Sequence, residues 1–473
     1  MKTFRKPGTV LLMAAVSVAA GTLPAAAQTA PAAPAAPATT SPDATTEAPK
    51  PASGEAAPAG FWINGIHLSA QLDAGFSLNP MRPGNGLNYG QLFTDHANQA
   101  QLNQLLLTAN KPLDPKNSDF QWGFKLQGLY GSDARYTQFL GELNRISPGN
   151  NYGTPFATEG DRYQFDIVEA NALFHLPILT SGGMDVKAGQ YPTPLGFETI
   201  DPSTNPFYSH SYIFQFGLPF KHTGVLTTTH VNSVLDVYAG LDTGTNTTFG
   251  PLGDNNGAVG AIGGVNLTLE GGKLTVLALT HVGPEQATRV LAPAGFNANG
   301  EWRAYNDIVM AYKASDALTL TTELNWVRDA YGYDNKPVNA FGAAQYASYT
   351  LTDTLTLNAR VELFRDDNNY FVASFAGNND PIRVQQGLPL GSLVYTGVNP
   401  ATGSTGSSTY GALTLGVTYK PTLPAPVTGL LIRPEVRWDH AFTDNNPYNQ
   451  NIVSLTKRTP NNFTFAADAV LTF

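Results

Sequence analysis

Residues 355–363 read Leu-Thr-Leu-Asn-Ala-Arg-Val-Glu-Leu. Every odd position is apolar and every even one polar or charged, the period of two that marks an extended strand between two different environments. Further on, Leu430, Ile432, Pro434, Val436 and Trp438 oppose Arg433, Glu435, Arg437 and Asp439. Four charges on one strand face do not suit a dry core, where each unpaired charge costs several kcal/mol. They suit a water-filled interior, and the apolar face then meets a second, non-aqueous solvent. Trp122, Phe124, Leu126 and Tyr130 against Gln121, Lys125 and Gln127 repeat the pattern, as do Leu318, Leu320, Leu324 and Trp326 against Thr319, Thr321, Glu323 and Asn325.

Segments of this kind recur to the end of the chain. They are predicted near 61–77, 101–111, 119–131, 164–178, 183–193, 220–231, 233–242 and 258–271, then near 273–283, 302–315, 318–328, 339–352, 354–366, 409–420, 429–441 and 462–473. The number is sixteen, and single-chain outer-membrane barrels of bacteria have an even number of strands. Short and long connections alternate without exception. The long ones are 78–100, 132–163, 194–219, 243–257, 284–301, 329–338, 367–408 and 442–461. The predicted fold is therefore all-β: a transmembrane antiparallel β-barrel of about 16 strands, with short periplasmic turns and long extracellular loops.

Composition agrees. The chain has 473 residues, of which 42% are hydrophobic and only 13% charged, against roughly 25% charged in ordinary globular proteins. Its 25 Phe, 20 Tyr and 5 Trp argue against disorder. The absence of Cys excludes disulfide scaffolds, thiolate metal sites and cysteine nucleophiles. Lys2, Arg5 and Lys6, the apolar run Val10–Ala20 and the small residues Ala25–Ala27 read as a signal peptide over 1–27. Its removal leaves 24 basic against 36 acidic side chains, a net −12, so nucleic acid is not an expected partner. Residues 28–60, dominated by Ala, Pro and Thr, read as a disordered periplasmic tether, and 61–473 as the barrel.

The last strand alternates from Phe463 to Phe473. Ending on Phe473 resembles the C-terminal signal read by the bacterial barrel assembly machinery. Trp62, Trp122, Trp302, Trp326 and Trp438 all lie near strand ends, where aromatic girdles meet the membrane interfaces. Lipid and lipopolysaccharide of the outer membrane are the expected surroundings.

Sixteen strands enclose an aqueous channel rather than a packed interior. The third long loop, 194–219, carries six aromatics, a poor composition for an exposed surface. Folded inward, it would bring Glu198 and Asp201 to the lumen opposite Arg360, Arg433 and Arg437. Such a constriction sets a transverse field, with Lys125, Glu362, Glu435 and Asp439 as further pore-lining charges. The expected function is passive diffusion of small hydrophilic solutes and ions.

Around this loop the run Gly189-Gln190-Tyr191-Pro192-Thr193-Pro194-Leu195-Gly196-Phe197-Glu198 is followed by Asn205-Pro206-Phe207-Tyr208-Ser209-His210-Ser211-Tyr212 and Pro219-Phe220-Lys221-His222-Thr223-Gly224-Val225. These resemble the OmpL-like β-barrel porin family of Gram-negative bacteria, which implies an outer-membrane porin of loosely defined substrate and supplies no catalytic or ligand residues. Analogy with general porins adds a homotrimer.

Two alternatives belong to other classes. A barrel phospholipase needs a Ser/His pair, for which His67 and Ser69 are the local candidates, on a face shared with Gln71 and Asp73. A barrel anchor with adhesin-like loops would use 367–408, whose Gly-Ser run at 403–408 favours mobility. No cofactor, metal or catalytic residue is expected. Asp366-Asp367-Asn368-Asn369 and Asp254-Asn255-Asn256 read as solvated turns, and His210 and His222 lack a spacing for zinc.

Overall fold

The computed structural model describes residues 60–115, 117–140, 145–146, 152–154, 157–158, 162–250, 253–288, 297–330, 336–372, 407–423, 429–443, 446–449 and 459–473. The predicted leader, the tether up to residue 59 and most of loop 367–408 lie outside the described residues.

Sixteen strands build one barrel. The first eight are β1 (Ile66–Leu78), β2 (Gln99–Lys111), β3 (Gln121–Gly131), β4 (Gln164–Leu176), β5 (Met184–Pro192), β6 (Lys221–His230), β7 (Leu235–Asp242) and β8 (Gly260–Leu269). The remainder are β9 (Leu274–Pro284), β10 (Trp302–Lys313), β11 (Leu318–Asp329), β12 (Val338–Thr352), β13 (Leu355–Asp366), β14 (Ser408–Tyr419), β15 (Gly429–Ala441) and β16 (Asn461–Thr472). Each pairs antiparallel with its neighbours in chain order. The sheet closes where β1 meets β16, with Gln71 opposite Thr472 and Leu78 opposite Phe465. Closure leaves no strand edge unpaired, which hydrocarbon surroundings demand of a spanning sheet. No helix among the described residues is long and apolar enough to cross a membrane.

The sequence reading placed the strand ends within two residues everywhere except at the start. There the predicted single strand 61–77 is a hairpin: Phe61–Ile63 folds back on β1 through Asn64 and Gly65. Both turn residues take positive φ, 50° and 80°, the two-residue turn for which Asn-Gly is suited.

Alternation sorts the side chains as the period of two requires. In β13, Leu357, Val361 and Leu363 point outward and are exposed, while Asn358, Arg360, Glu362 and Phe364 are buried inside. In β15, Trp438 points out, while Arg433, Glu435, Arg437 and Asp439 point in. Five Trp rings stand on the outer surface. Trp62 and Trp122 lie at the short-turn rim, and Trp302, Trp326 and Trp438 towards the long-loop rim. Trp326 stacks on Phe341 of the next strand and Trp438 on Phe463, and their indole N–H groups donate to Asn339 and Asn461.

Candidate functional site

The third loop leaves β5 at Pro192, folds into the lumen and returns to β6 at Lys221. Two single turns stiffen it, Pro202–Thr204 and Ile213–Gly217. Asp201 caps the first, its carboxylate accepting from the Ser203 N–H at 2.9 Å. All six loop aromatics, Phe197, Phe207, Tyr208, Tyr212, Phe214 and Phe216, are buried. Glycines on the inner wall seat three loop side chains. A Cβ on Gly75 would stand 2.3 Å from the Tyr208 ring, one on Gly342 2.4 Å from Ile213, and one on Gly416 3.1 Å from Phe207. These strand glycines leave room for close approach, since a side chain would collide at Gly75 and Gly342 and crowd its neighbour at Gly416.

A loop inside a barrel has backbone groups with no strand to pair with, and buried backbone groups must find partners. The charged wall supplies them. Glu362 accepts from the Tyr212 N–H at 2.7 Å, and Glu435 from those of Tyr208 and Ser209 at 2.9 and 3.2 Å. Arg437 donates to the His210 carbonyl at 2.7 Å. Arg433 donates to the carbonyls of Pro202 and Asn205 at 2.6 and 2.7 Å and pairs with Asp468. Arg360 donates to the Ser209 carbonyl at 2.8 Å and to Glu198 at 2.7 Å. Glu198 also accepts from Tyr346 at 3.0 Å and contacts His210 at 2.8 Å. Burial alone would raise the Glu198 pKa, but Arg360, His210 and the Ser211 N–H bring it down to about 2.

The expectation that acids and bases face one another across open water is corrected here. Glu198 and Arg360 are in contact, and Arg360 and Arg437 are fully buried. Asp201 meets none of the three arginines and instead accepts from Gln71 at 2.9 Å. Asp439 pairs with Arg437 at 2.8 Å and accepts from Gln91 at 2.9 Å. The physical reason is the loop itself. Once it occupies the lumen beside β11–β16, the charges there serve its backbone rather than water.

Space remains on the other flank. A cavity of about 290 Å³ lies between the loop and the wall of β2–β6. Its charged lining is Lys125, Glu169, Asp185, Lys187, Glu198 and Asp201. Lys125 pairs with Glu169 at 2.7 Å.

Residues outside the sequence reading complete the site. A bulge at Asn103 turns both Asn103 and Gln104 inward. Asn103 accepts from the Tyr208 hydroxyl at 2.8 Å, Gln104 donates to the Ile200 carbonyl at 2.8 Å, and both donate to Asp133. The adjacent polar pair Asn103-Gln104 interrupting the alternation is the signal in the sequence. A second bulge turns Val168 and Glu169 inward together. Burial pushes Asp133, just beyond β3, up to about 7.

The other candidates resolve simply. Asp366 accepts from the backbone N–H groups of Tyr370, Phe371 and Val372, and Asp254 from those of Asn256 and Gly257, so both acids cap turns. His67 packs its ring on Trp62, centroids 4.9 Å apart. Among the described residues, His222, Asp242 and His281 bring metal-ligating atoms together, which their spacing along the chain did not announce.

Residues 65–473 match the model of the family described as Putative beta-barrel porin-2, OmpL-like. No curated protein matches the sequence. Among solved structures, the outer membrane channel DcaP of Acinetobacter baumannii is 12% identical, with a TM-score of 0.48 over 88% of this chain and 100% of that one. OmpF of Salmonella typhi in complex with daunomycin is 10% identical, with a TM-score of 0.49 over 87% and 99%. An anion-selective porin from Comamonas acidovorans is 9% identical, with a TM-score of 0.45 over 86% and 99%.

Proposed function

We propose, for a chain that belongs to the OmpL-like β-barrel porin-2 family and so forms an outer-membrane channel, that it passes small hydrophilic solutes and ions by passive diffusion through a passage narrowed by the third loop. The one-sided docking of that loop carries this reading. Its backbone is held by Arg360, Glu362, Arg433, Glu435 and Arg437 on one flank, and the cavity lies on the other. Lys125, Glu169, Asp185, Lys187 and Asp201 then meet the passing solute, three acids against two bases. With the negative balance of the whole chain, this favours cations weakly. The buried arginines act as the loop's anchor rather than as the selectivity filter. Passive diffusion calls on no catalytic group and no cofactor.

Planar-bilayer recording in a KCl gradient tests the proposal. The expected result is discrete conductance steps, a reversal potential of cation sign, and larger steps after deletion of residues 200–212. A silent barrel, or a deletion that leaves the steps unchanged, sinks it.

The setting follows from the same reading. The leader is removed after Ala27 during export, which leaves residues 28–60 as a periplasmic tether ahead of the barrel. Outward apolar faces meet lipid and lipopolysaccharide, with the Trp residues at the two interfaces. Phe473 presents the last strand to the assembly machinery. Barrels associate as homotrimers through an apolar concavity of about 810 Å³ outside β1–β4, where Ala70, Ala109, Gly128 and Ala170 leave room between larger neighbours. Light scattering on detergent-extracted protein should give three chains per particle, and a single-chain mass would refute the trimer.

A further inference from the structure

Towards the long-loop rim, four buried side chains converge inside the barrel wall. His222 belongs to β6, Asp242 ends β7, His281 lies near the end of β9, and Glu285 follows it. His222 Nδ1 is 3.0 Å from Asp242 Oδ2, His281 Nε2 is 3.1 Å from Asp242 Oδ1, and His281 Nδ1 is 3.9 Å from Glu285 Oε1. The two imidazole centroids are 4.9 Å apart.

β8 runs between β7 and β9, and its residue at this level is Gly260. A Cβ there would stand 2.5 Å from Asp242 Oδ1 and 2.8 Å from His281 Nε2. The gap in β8 is what lets residues of two non-adjacent strands meet.

Hydrogen bonding accounts for only part of the cluster, through His281 Nε2 and Asp242 Oδ1 at 3.1 Å. His222 Nδ1, Asp242 Oδ2, His281 Nδ1 and Glu285 Oε1 are buried without a hydrogen-bond partner. His222 Nε2 faces the Thr193 hydroxyl at 3.1 Å. With the ring proton on that nitrogen, Nδ1 turns a lone pair towards the Asp242 carboxylate. In that tautomer two lone pairs face each other at 3.0 Å, an arrangement relieved by a cation between them or by a proton on Nδ1. A hydrogen bond on the far nitrogen is also how ligating histidines are oriented. Two neutral imidazoles and the Asp242 carboxylate make a nitrogen-rich donor set that suits a divalent ion. The separations of 3.0 and 3.1 Å, from His222 Nδ1 and His281 Nε2 to the Asp242 carboxylate, lie a little below the edge of about 3.4 Å expected for donors about 2.1 Å from zinc. Imidazole nitrogen selects transition metals over calcium or magnesium.

We propose that His222, Asp242 and His281 hold one zinc-class divalent ion in the barrel wall, tying β6, β7 and β9 together at the long-loop rim. The ion then acts as a removable rivet: the rim is stiffer when metal is plentiful and looser when it is scarce.

The test uses the full mature chain without a histidine tag, folded in detergent, stripped with chelator and titrated with zinc by calorimetry and with cobalt by visible absorption. One equivalent per chain is expected, with cobalt bands of tetrahedral intensity that zinc abolishes and a zinc-dependent rise in Tm. His222→Asn with His281→Gln should weaken zinc binding at least about 100-fold, and Thr193→Val by about 10-fold. Heat-dependent gel mobility reports whether each variant has folded. Absence of saturable zinc uptake by the wild-type barrel overturns the proposal whatever the variants do. So does uptake that a folded double variant retains.

Discussion

Arg360→Ala is the most informative single perturbation. The guanidinium binds Glu198 at 2.7 Å, Glu362 at 3.2 Å and the Ser209 carbonyl at 2.8 Å, and lies over the Phe207 ring, 5.1 Å from its centroid. Removing it takes an arginine from two buried carboxylates, of which Glu362 keeps Arg437 at 3.3 Å, and breaking a buried pair from one side costs about 3–5 kcal/mol. The barrel need not bear that cost, because the loop can swing out and rehydrate Glu198. The equilibrium between docked and undocked loop should therefore shift by about two to three and a half powers of ten. Arg433, Arg437, Glu362 and Glu435 still hold the loop, so it stays docked for most of the time. Single-channel recording should show frequent excursions to a higher conductance, and protease should cut within 200–212 more quickly than in the wild type. Arg360→Ala with Glu198→Ala should recover part of the docking, since the stranded charge is gone. Dwell times and cleavage rates equal to wild type would refute the claim that this pair anchors the loop.

Acid should loosen the same anchor. Glu198 has a folded pKa of about 2 against an ordinary 4.5. A depressed carboxylate stabilises the docked state above 4.5, and that contribution is lost as pH falls towards 2. Undocked dwells should grow over this window, and Glu198→Gln should show no such dependence. Gly75→Ala places a methyl against Tyr208, 2.3 Å from its ring, so the ring must leave. The cost should be about 1–3 kcal/mol of overpacking, read as larger or noisier conductance in a barrel that still shows the folded gel mobility. Lys187→Gln removes a base from the free flank and should move the reversal potential further towards the cation limit, with an unchanged potential counting against that flank as the passage. Deleting Phe473 should lower the yield of assembled barrel in the outer membrane while leaving synthesis unaltered, measured by fractionation and gel mobility.

Strand positions were legible because the two faces of each strand meet different solvents, and the period of two records that difference directly. The alternation of Leu355–Leu363 shows which side chains point inward. It does not show what they meet. Arg360, Glu362 and Arg437 read as lining water, yet they bind the backbone of a loop more than a hundred residues away in sequence, a contact no local pattern encodes. The wall glycines Gly75, Gly342 and Gly416 offer no side chain for the alternation to register, yet each is the seat of a loop side chain. The inward bulge at Asn103 left a visible trace as a break in alternation. The cluster of His222, Asp242 and His281 left none, because barrel registry rather than spacing along the chain brings it together.

The seam between β1 and β16 has a consequence for how the barrel comes into being. Gln71 and Thr472 pair across almost the whole sequence, and Phe473 exchanges two backbone hydrogen bonds with Ala70. Joining segments about 400 residues apart costs about 5 kcal/mol of chain entropy before any contact offsets it. Every other strand pair joins neighbours in the chain. The hairpins can therefore form early, in any order, while the final zipping waits for both terminal strands. Until then the sheet has two open edges that hydrocarbon cannot tolerate. The seam is thus the one strand pairing of the barrel that no local hairpin can make.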